Sequence, residues 1–361
     1  MATARNHGVD LLRLVSMFFV VMLHSLGRSG VLEGNANGGL YKIAWLIEIF
    51  CYGAVDIFAL ISGYVGYRDE KRPLKIRNLL KLWAQAIFYG VLIFAIVKTF
   101  DPTVAAKGDF ITYLMPVTHR RYWYLTAYAL VFLVSPILNA GLRELSEAKC
   151  RKVVWAIIAA IAVISLTKNQ GGDLFLVNNG YCAWWLMVLY FIGGAMKKGR
   201  FLEKLNGRWC AFGIIVCMAI AWLTKVYGDD ITVLDFRLSK GFLVSYISPT
   251  IVISSVLFMR LFAGLQIKQR WLVKAIDWAA PCAFAVYLLN MGYVYHHYLP
   301  EWLSPLSHKR ALIAIPALIG FSVLFFALAI TIEKGRQTAI AFLNKQITIR
   351  RKHAKSKNIA A

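Results

Sequence analysis

The chain has 361 residues, 59% of them hydrophobic and only 16% charged, with a net charge of +23 and a mean hydropathy of +0.59. A soluble domain is about 45–50% apolar and about 25% charged, so a soluble enzyme, a disordered chain and a fibrous repeat are all excluded, which leaves a polytopic membrane protein. The basic residues sit in short clusters between apolar stretches, as membrane topology requires, so nucleic acid is not expected as a partner.

A spanning helix needs about 20 mostly apolar residues. The sequence predicts an all-α bundle of about ten spans, over 9–27, 42–66, 77–99, 122–140, 152–167, 180–197, 208–227, 241–263, 276–299 and 310–332. The first run carries Arg13 and His24 and lacks a cleavage site, so it is read as a span and not as a signal peptide. The ninth contains Pro281.

Alternate loops differ in charge. One set holds Arg68, Lys71, Arg72, Lys75 and Arg77; Arg143, Lys149, Arg151 and Lys152; Lys197, Lys198, Arg200, Lys204 and Arg208; Lys268, Arg270 and Lys274; and a tail with Lys334, Arg336, Lys345, Arg350, Arg351, Lys352, Lys355 and Lys357. The other holds Arg28; Lys98, Lys107, Arg120 and Arg121; Lys168; Lys225, Arg237 and Lys240; and Lys309 and Arg310. Cationic loops resist translocation, so the rich set and both termini are expected in the cytoplasm. Residues 1–340 are read as one membrane domain and 341–361 as a basic, solvated tail drawn to anionic lipid. The longest loops on the other side, 101–121 and 225–240, include Asp229, Asp230 and Asp235. No internal repeat is evident. Cys51, Cys150, Cys182, Cys210, Cys217 and Cys282 are scattered without a CxxC pair, which suggests neither a metal site nor a disulfide framework.

Ionisable residues inside spans are costly and mark functional candidates. Arg13 and His24 are eleven residues apart. This leaves an offset of about 20° on one helix face and a separation of about 16 Å along the axis. Arg13 lies toward the cytoplasm, within one turn of Asp10, and His24 lies toward the opposite surface. The second span carries Glu48 near the outer surface and Asp56 near mid-depth, eight residues apart and within about 80° on a continuous helix. Glu48 is placed to orient His24, and Asp56 to face Arg13.

These residues sit in segments with a family resemblance. The first span reads GVDLLRLVSMFFVVMLH, the second ends AVDIFALISGYVGY, the third opens KIRNLLKLW, and the fourth reads RYWYLTAYALVFLVSPILN. With YISPTIVISSVLF and AFAVYLLNMGYV later in the chain, they resemble, in order, the motifs of the acyltransferase-3 family of integral membrane acyltransferases. One departure stands out: many members end the ninth-span motif Tyr-Leu-Ile-His, where this chain has Asn290. The resemblance implies transfer of an acyl group, usually acetyl, from acyl-CoA as co-substrate, with no permanently bound cofactor. The acceptor it implies is a hydroxyl of an envelope or exported glycan. The segment from Tyr122 to Asn139 is most like members that work in polysaccharide assembly, favouring a lipid-linked oligosaccharide or capsule unit at a bacterial inner membrane.

In that frame His24 is the candidate general base, since imidazole titrates near neutral pH. Glu48 is its orienter, and Asp56 is the third catalytic candidate. Asn290 or Tyr124 is a candidate donor to the thioester oxygen as it gains charge. Arg13, Arg77 and Lys81 are candidates for the phosphates of coenzyme A. Trp123, Tyr124 and Tyr128 are either membrane-interface anchors or a platform for the acceptor sugar. Ser62, Gly63 and Tyr64 are expected to permit close helix packing. Direct transfer requires a channel between Arg13 and His24; without one, a covalent acyl relay is needed. The rival readings are a transporter or flippase for lipid-linked sugars and a non-catalytic assembly subunit. The sequence leaves the oligomeric state open.

Overall fold

Helix occupies most of each of the ten apolar stretches, though not always in one piece. The computed structural model describes residues 5–71, 73–102, 110–119, 121–168, 176–228, 232–233, 236–237 and 240–359. Arg72, Lys107, Arg120, Asp229, Asp230 and Asp235 lie outside the described residues, as do the side chains of Lys168, Arg237, Arg350, Arg351, Lys352, Lys355 and Lys357.

The helices are α1 (His7–Arg28), α2 (Gly39–Tyr52), α3 (Ala54–Gly66), α4 (Ile76–Phe100), α5 (Phe110–Leu114), α6 (Trp123–Glu144), α7 (Glu147–Lys168), α8 (Ala183–Lys198), α9 (Gly207–Tyr227), α10 (Pro249–Ala263), α11 (Arg270–Ala279), α12 (Ala283–Asn290), α13 (Tyr293–Leu303) and α14 (Ala311–Ile359). A two-residue antiparallel pair sets Thr232 against Arg237. Seven segments are long and apolar enough to cross a bilayer: α1, α2 with α3, α4, α6, α9, α11 with α12, and α14 as far as Thr348. α8 and α10, at 16 and 15 residues, rise only about 22–24 Å, short of a hydrocarbon core about 30 Å thick.

Two of the expected spans are interrupted, and both breaks shape the site. The second stops at Gly53 and restarts as α3. A side chain at Gly53 would meet the Ser255 hydroxyl oxygen of α10 at 2.6 Å, so that hydroxyl would have to turn away. The ninth is broken by Pro281, which cannot donate a backbone N–H to the preceding turn. α11 passes through one turn of 3-10 helix, Ala280–Cys282, into α12, and the chain turns again at Met291 and Gly292 before α13. The basic tail continues α14 as helix to Ile359.

α1 is the central element and packs against α2, α3, α10, α11, α12, α13 and α14. Asn6 caps its start by accepting from the Val9 N–H at 3.1 Å. Near its other end the buried Ser322 hydroxyl of α14 donates to Ser25 at 2.9 Å, and Ser25 bonds Tyr295 of α13 at 2.9 Å. α14 is also tied to α4: Glu333 is 1% exposed, accepts from Tyr89 at 2.7 Å and is held at two oxygens by Arg336 at 2.6 and 2.7 Å. A buried carboxylate is tolerated when its oxygens are filled in this way.

The closest crossing is α3 on α8. A methyl group at Gly63 would collide with the Tyr190 carbonyl, and one at Gly193 with that of Leu60. The expectation of close packing at Ser62, Gly63 and Tyr64 is met at Gly63 itself. Backbone cannot yield as a side chain can, so Gly63→Ala should cost about 1–3 kcal/mol or more. This is to be read as a lowered melting temperature and loss of monodisperse protein in detergent.

Candidate functional site

The stripe predicted on α1 lines one continuous cavity. Arg13, Met17, Val20 and His24, each a turn from the next, form one wall of a cavity of about 450 Å³. This volume is within the range of small-molecule sites. α2 and α3 add Glu48, Tyr52, Val55, Phe58 and Ser62; α6 adds Trp123, Tyr124, Leu125 and Tyr128. The broken region around Pro281 contributes Ala280, Pro281, Ala283, Phe284 and Tyr287, and Tyr181 and Tyr246 close the remaining side.

His24 and Asn290 are directly bonded, imidazole Nδ1 to amide oxygen. An amide oxygen only accepts, so Nδ1 carries the proton and Nε2 is left as the basic nitrogen of the ring. Asn290 is fully buried and does not line the cavity; it stands behind His24. The bonded neighbour of His24 is thus Asn290 and not Glu48, and Asn290 does not face the cavity in which a donor to the thioester oxygen is expected. Glu48 instead lines the cavity with one carboxylate oxygen buried and unpartnered.

Asp56 is also displaced from its expected position. It is fully buried and accepts from the Trp185 indole N–H at 3.1 Å, away from the cavity wall. The break at Gly53 is the reason: counting eight residues along a continuous helix does not apply across it. Arg13 bonds Asp10 at 2.5 Å, and Asp10 also meets Arg5 at 2.5 Å, which pairs with Asp277 at 2.9 Å. Arg13 is thus anchored at one end of α1 by this chain of charges while still reaching the cavity.

Trp123, Tyr124 and Tyr128 all face the cavity. Tyr124 stacks on Tyr128 with 10° between the rings and 6.3 Å between centroids. Trp123 packs on Tyr181, and Tyr181 on Tyr246, each pair with centroids 4.9 Å apart. Tyr52 completes the row against Tyr246 at 5.1 Å. Sequence reasoning missed Tyr52, Tyr181 and Tyr246, because the row is assembled from four distant stretches of chain.

A second cavity of about 500 Å³ adjoins the first, since Ser62 and Tyr128 line both. Its wall carries Arg68, Lys71, Lys75 and Arg143, with Glu70, Asn78 and Asn139 among the polar groups. Arg77 and Lys81 are exposed and line neither cavity. The four cations that line the second cavity were legible in the sequence only as loop charge.

A family model described as an acyltransferase domain matches residues 6–334. The chain belongs to the acyltransferase-3 family. No curated protein and no solved structure matches it. Membership makes it a multi-pass membrane acyltransferase, and places the His24 cavity inside a domain that occupies nearly the whole chain.

In an acyltransferase a general base contributes about 10²–10⁴-fold to rate. With His24 as the general base expected from the sequence, freeing it from its hydrogen bond should forfeit part of that. Asn290→Ala is expected to lower kcat by about tenfold to a hundredfold while leaving the KM for the acyl donor nearly unchanged. Steady-state kinetics on purified protein checks both numbers.

Proposed function

We propose that the protein transfers an acyl group, acetyl in the first instance, from acyl-CoA to a hydroxyl of an envelope or exported glycan at a bacterial inner membrane. The observation that carries this reading is the pair of adjoining cavities, one rimmed by Arg68, Lys71, Lys75 and Arg143 and the other containing His24. Phosphates of coenzyme A suit the cationic cavity. The thioester reaches past Ser62 and Tyr128 toward His24, about 16 Å from Arg13 along α1. The row of aromatic rings offers stacking faces for a sugar. Glu48 offers a hydrogen-bond acceptor.

In this reading all ten apolar stretches cross or enter the bilayer, and the cationic loops and both termini lie in the cytoplasm, where coenzyme A is available. His24 faces the opposite side. Its Nε2 takes the proton of the acceptor hydroxyl as the oxygen attacks the thioester carbonyl carbon. The C–S bond breaks, and the departing coenzyme A thiolate recovers the proton from the imidazolium. The adjoining cavities support direct transfer without a covalent acyl relay.

The test is an assay with radiolabelled acetyl-CoA and membrane glycan on purified, liposome-reconstituted protein. Label should move to glycan, and His24→Ala, expressed at normal abundance, should lose at least about a hundredfold in rate. A fully active His24→Ala variant refutes the mechanism. Arg13→Gln and Arg143→Gln should weaken acetyl-CoA binding, measured by titration; unchanged affinity would assign Arg13 to the Asp10 pair alone.

A further inference from the structure

A group of nitrogen donors without carboxylate partners lies where α1 ends beside His24. The His296 ring is 5.7 Å from that of His24, centroid to centroid. Arg28, in the last turn of α1, donates to His296 Nδ1 at 2.7 Å. A guanidinium only donates, so His296 Nδ1 is an acceptor and its proton sits on Nε2. That Nε2 is buried and without a hydrogen-bond partner. Arg121, two residues before the cavity-lining Trp123, has its Nε buried and unpartnered as well. Its terminal nitrogen donates to Tyr113 at 2.7 Å, and the guanidinium lies over the Tyr113 ring at 4.6 Å.

Among the described residues, neither Arg28 nor Arg121 forms an ion pair with a carboxylate. The charges of Arg28 and Arg121 both lie within electrostatic reach of His296, and a ring that accepts at Nδ1 from Arg28 is uncharged, a neutral N–H donor at Nε2. Buried N–H groups without acceptors are costly, and two of them beside unneutralised guanidiniums mark a place made for an acceptor that the chain does not supply. Arginine forks fit carboxylate and phosphate oxygens in particular.

We propose that Arg28, Arg121 and His296 form an anion subsite that holds a carboxylate or phosphate of the acceptor while a neighbouring hydroxyl meets His24. The inference rests on the acyl-transfer reading above and narrows it: the acceptor is an acidic glycan, bearing either a uronic acid or a sugar phosphate. Its charge is read beside His24, and the charge of coenzyme A in the adjoining cationic cavity.

The test measures binding and transfer separately on the purified full-length protein. Calorimetric titration compares a glucuronic-acid disaccharide with its carboxyl-reduced neutral form, and a sugar 1-phosphate with the free sugar. The anionic member of at least one pair should bind at least tenfold more tightly, and which pair does so identifies the source of the charge. Arg28→Gln and Arg121→Gln should each erase the preference, and Arg28→Lys, which keeps the charge, should retain part of it. Melting curves identify any variant that fails to fold, and the comparison within each pair on the unaltered protein stands without the variants. Anionic members that bind no better than their neutral partners, or not at all, overturn the subsite. Labelled acetyl-CoA is followed in parallel. Transfer to neutral glycan without anion preference leaves the acyltransferase reading intact and removes the subsite; anion-selective binding with no transfer of label to any glycan does the reverse.

Discussion

The fixed orientation of one imidazole organises this protein. His24 sits in the central helix α1, bonded through Nδ1 to a fully buried amide from α12. That amide is in place because the chain stops at Pro281, restarts as α12 and turns again at Met291. A continuous ninth helix would carry Asn290 elsewhere. The break thus costs backbone hydrogen bonds within one span and gives the imidazole a defined tautomer, which the proposed acid–base role requires.

The surrounding helices divide into those that hold α1 rigid and those that open space beside it. Ser25, Ser322 and Tyr295 bond α1 to α13 and α14, while Asp10 bonds Arg13 and Arg5 at the other end. The crossing of α3 on α8, backbone against backbone at Gly63 and Gly193, brings Ser62 to the junction of the two cavities. In a bilayer, where lipid tails are as apolar as leucine, such small-residue contacts and interhelical hydrogen bonds supply the association that the hydrophobic effect supplies in water.

Electrostatically the molecule has two cationic ends and an aromatic middle. Arg68, Lys71, Lys75 and Arg143 gather around one cavity, and Arg28 and Arg121 flank His24 and His296 near the other. Between them lie stacked rings and the carboxylate of Glu48. A donor and an acceptor that are both anionic would be drawn to opposite ends, with their reacting groups meeting in the aromatic section.

The sequence alone determined the helical membrane character, the family, and the stripe from Arg13 to His24, because each depends only on composition, order or the period of a single unbroken helix. Trp123, Tyr124 and Tyr128 were legible for the same reason, as they share one end of α6. The tertiary structure decided what lies across from them. Glu48 and Asp56 were set on one face by counting through Gly53, where the helix in fact breaks, so one reached the cavity and the other turned to Trp185. Asn290 replaced Glu48 as the partner of His24, and Arg68, Lys71, Lys75 and Arg143, not Arg77 and Lys81, surround the second cavity. Those outcomes depend on contacts between segments up to 266 residues apart, and periodicity within one segment carries no information about which helix will face it.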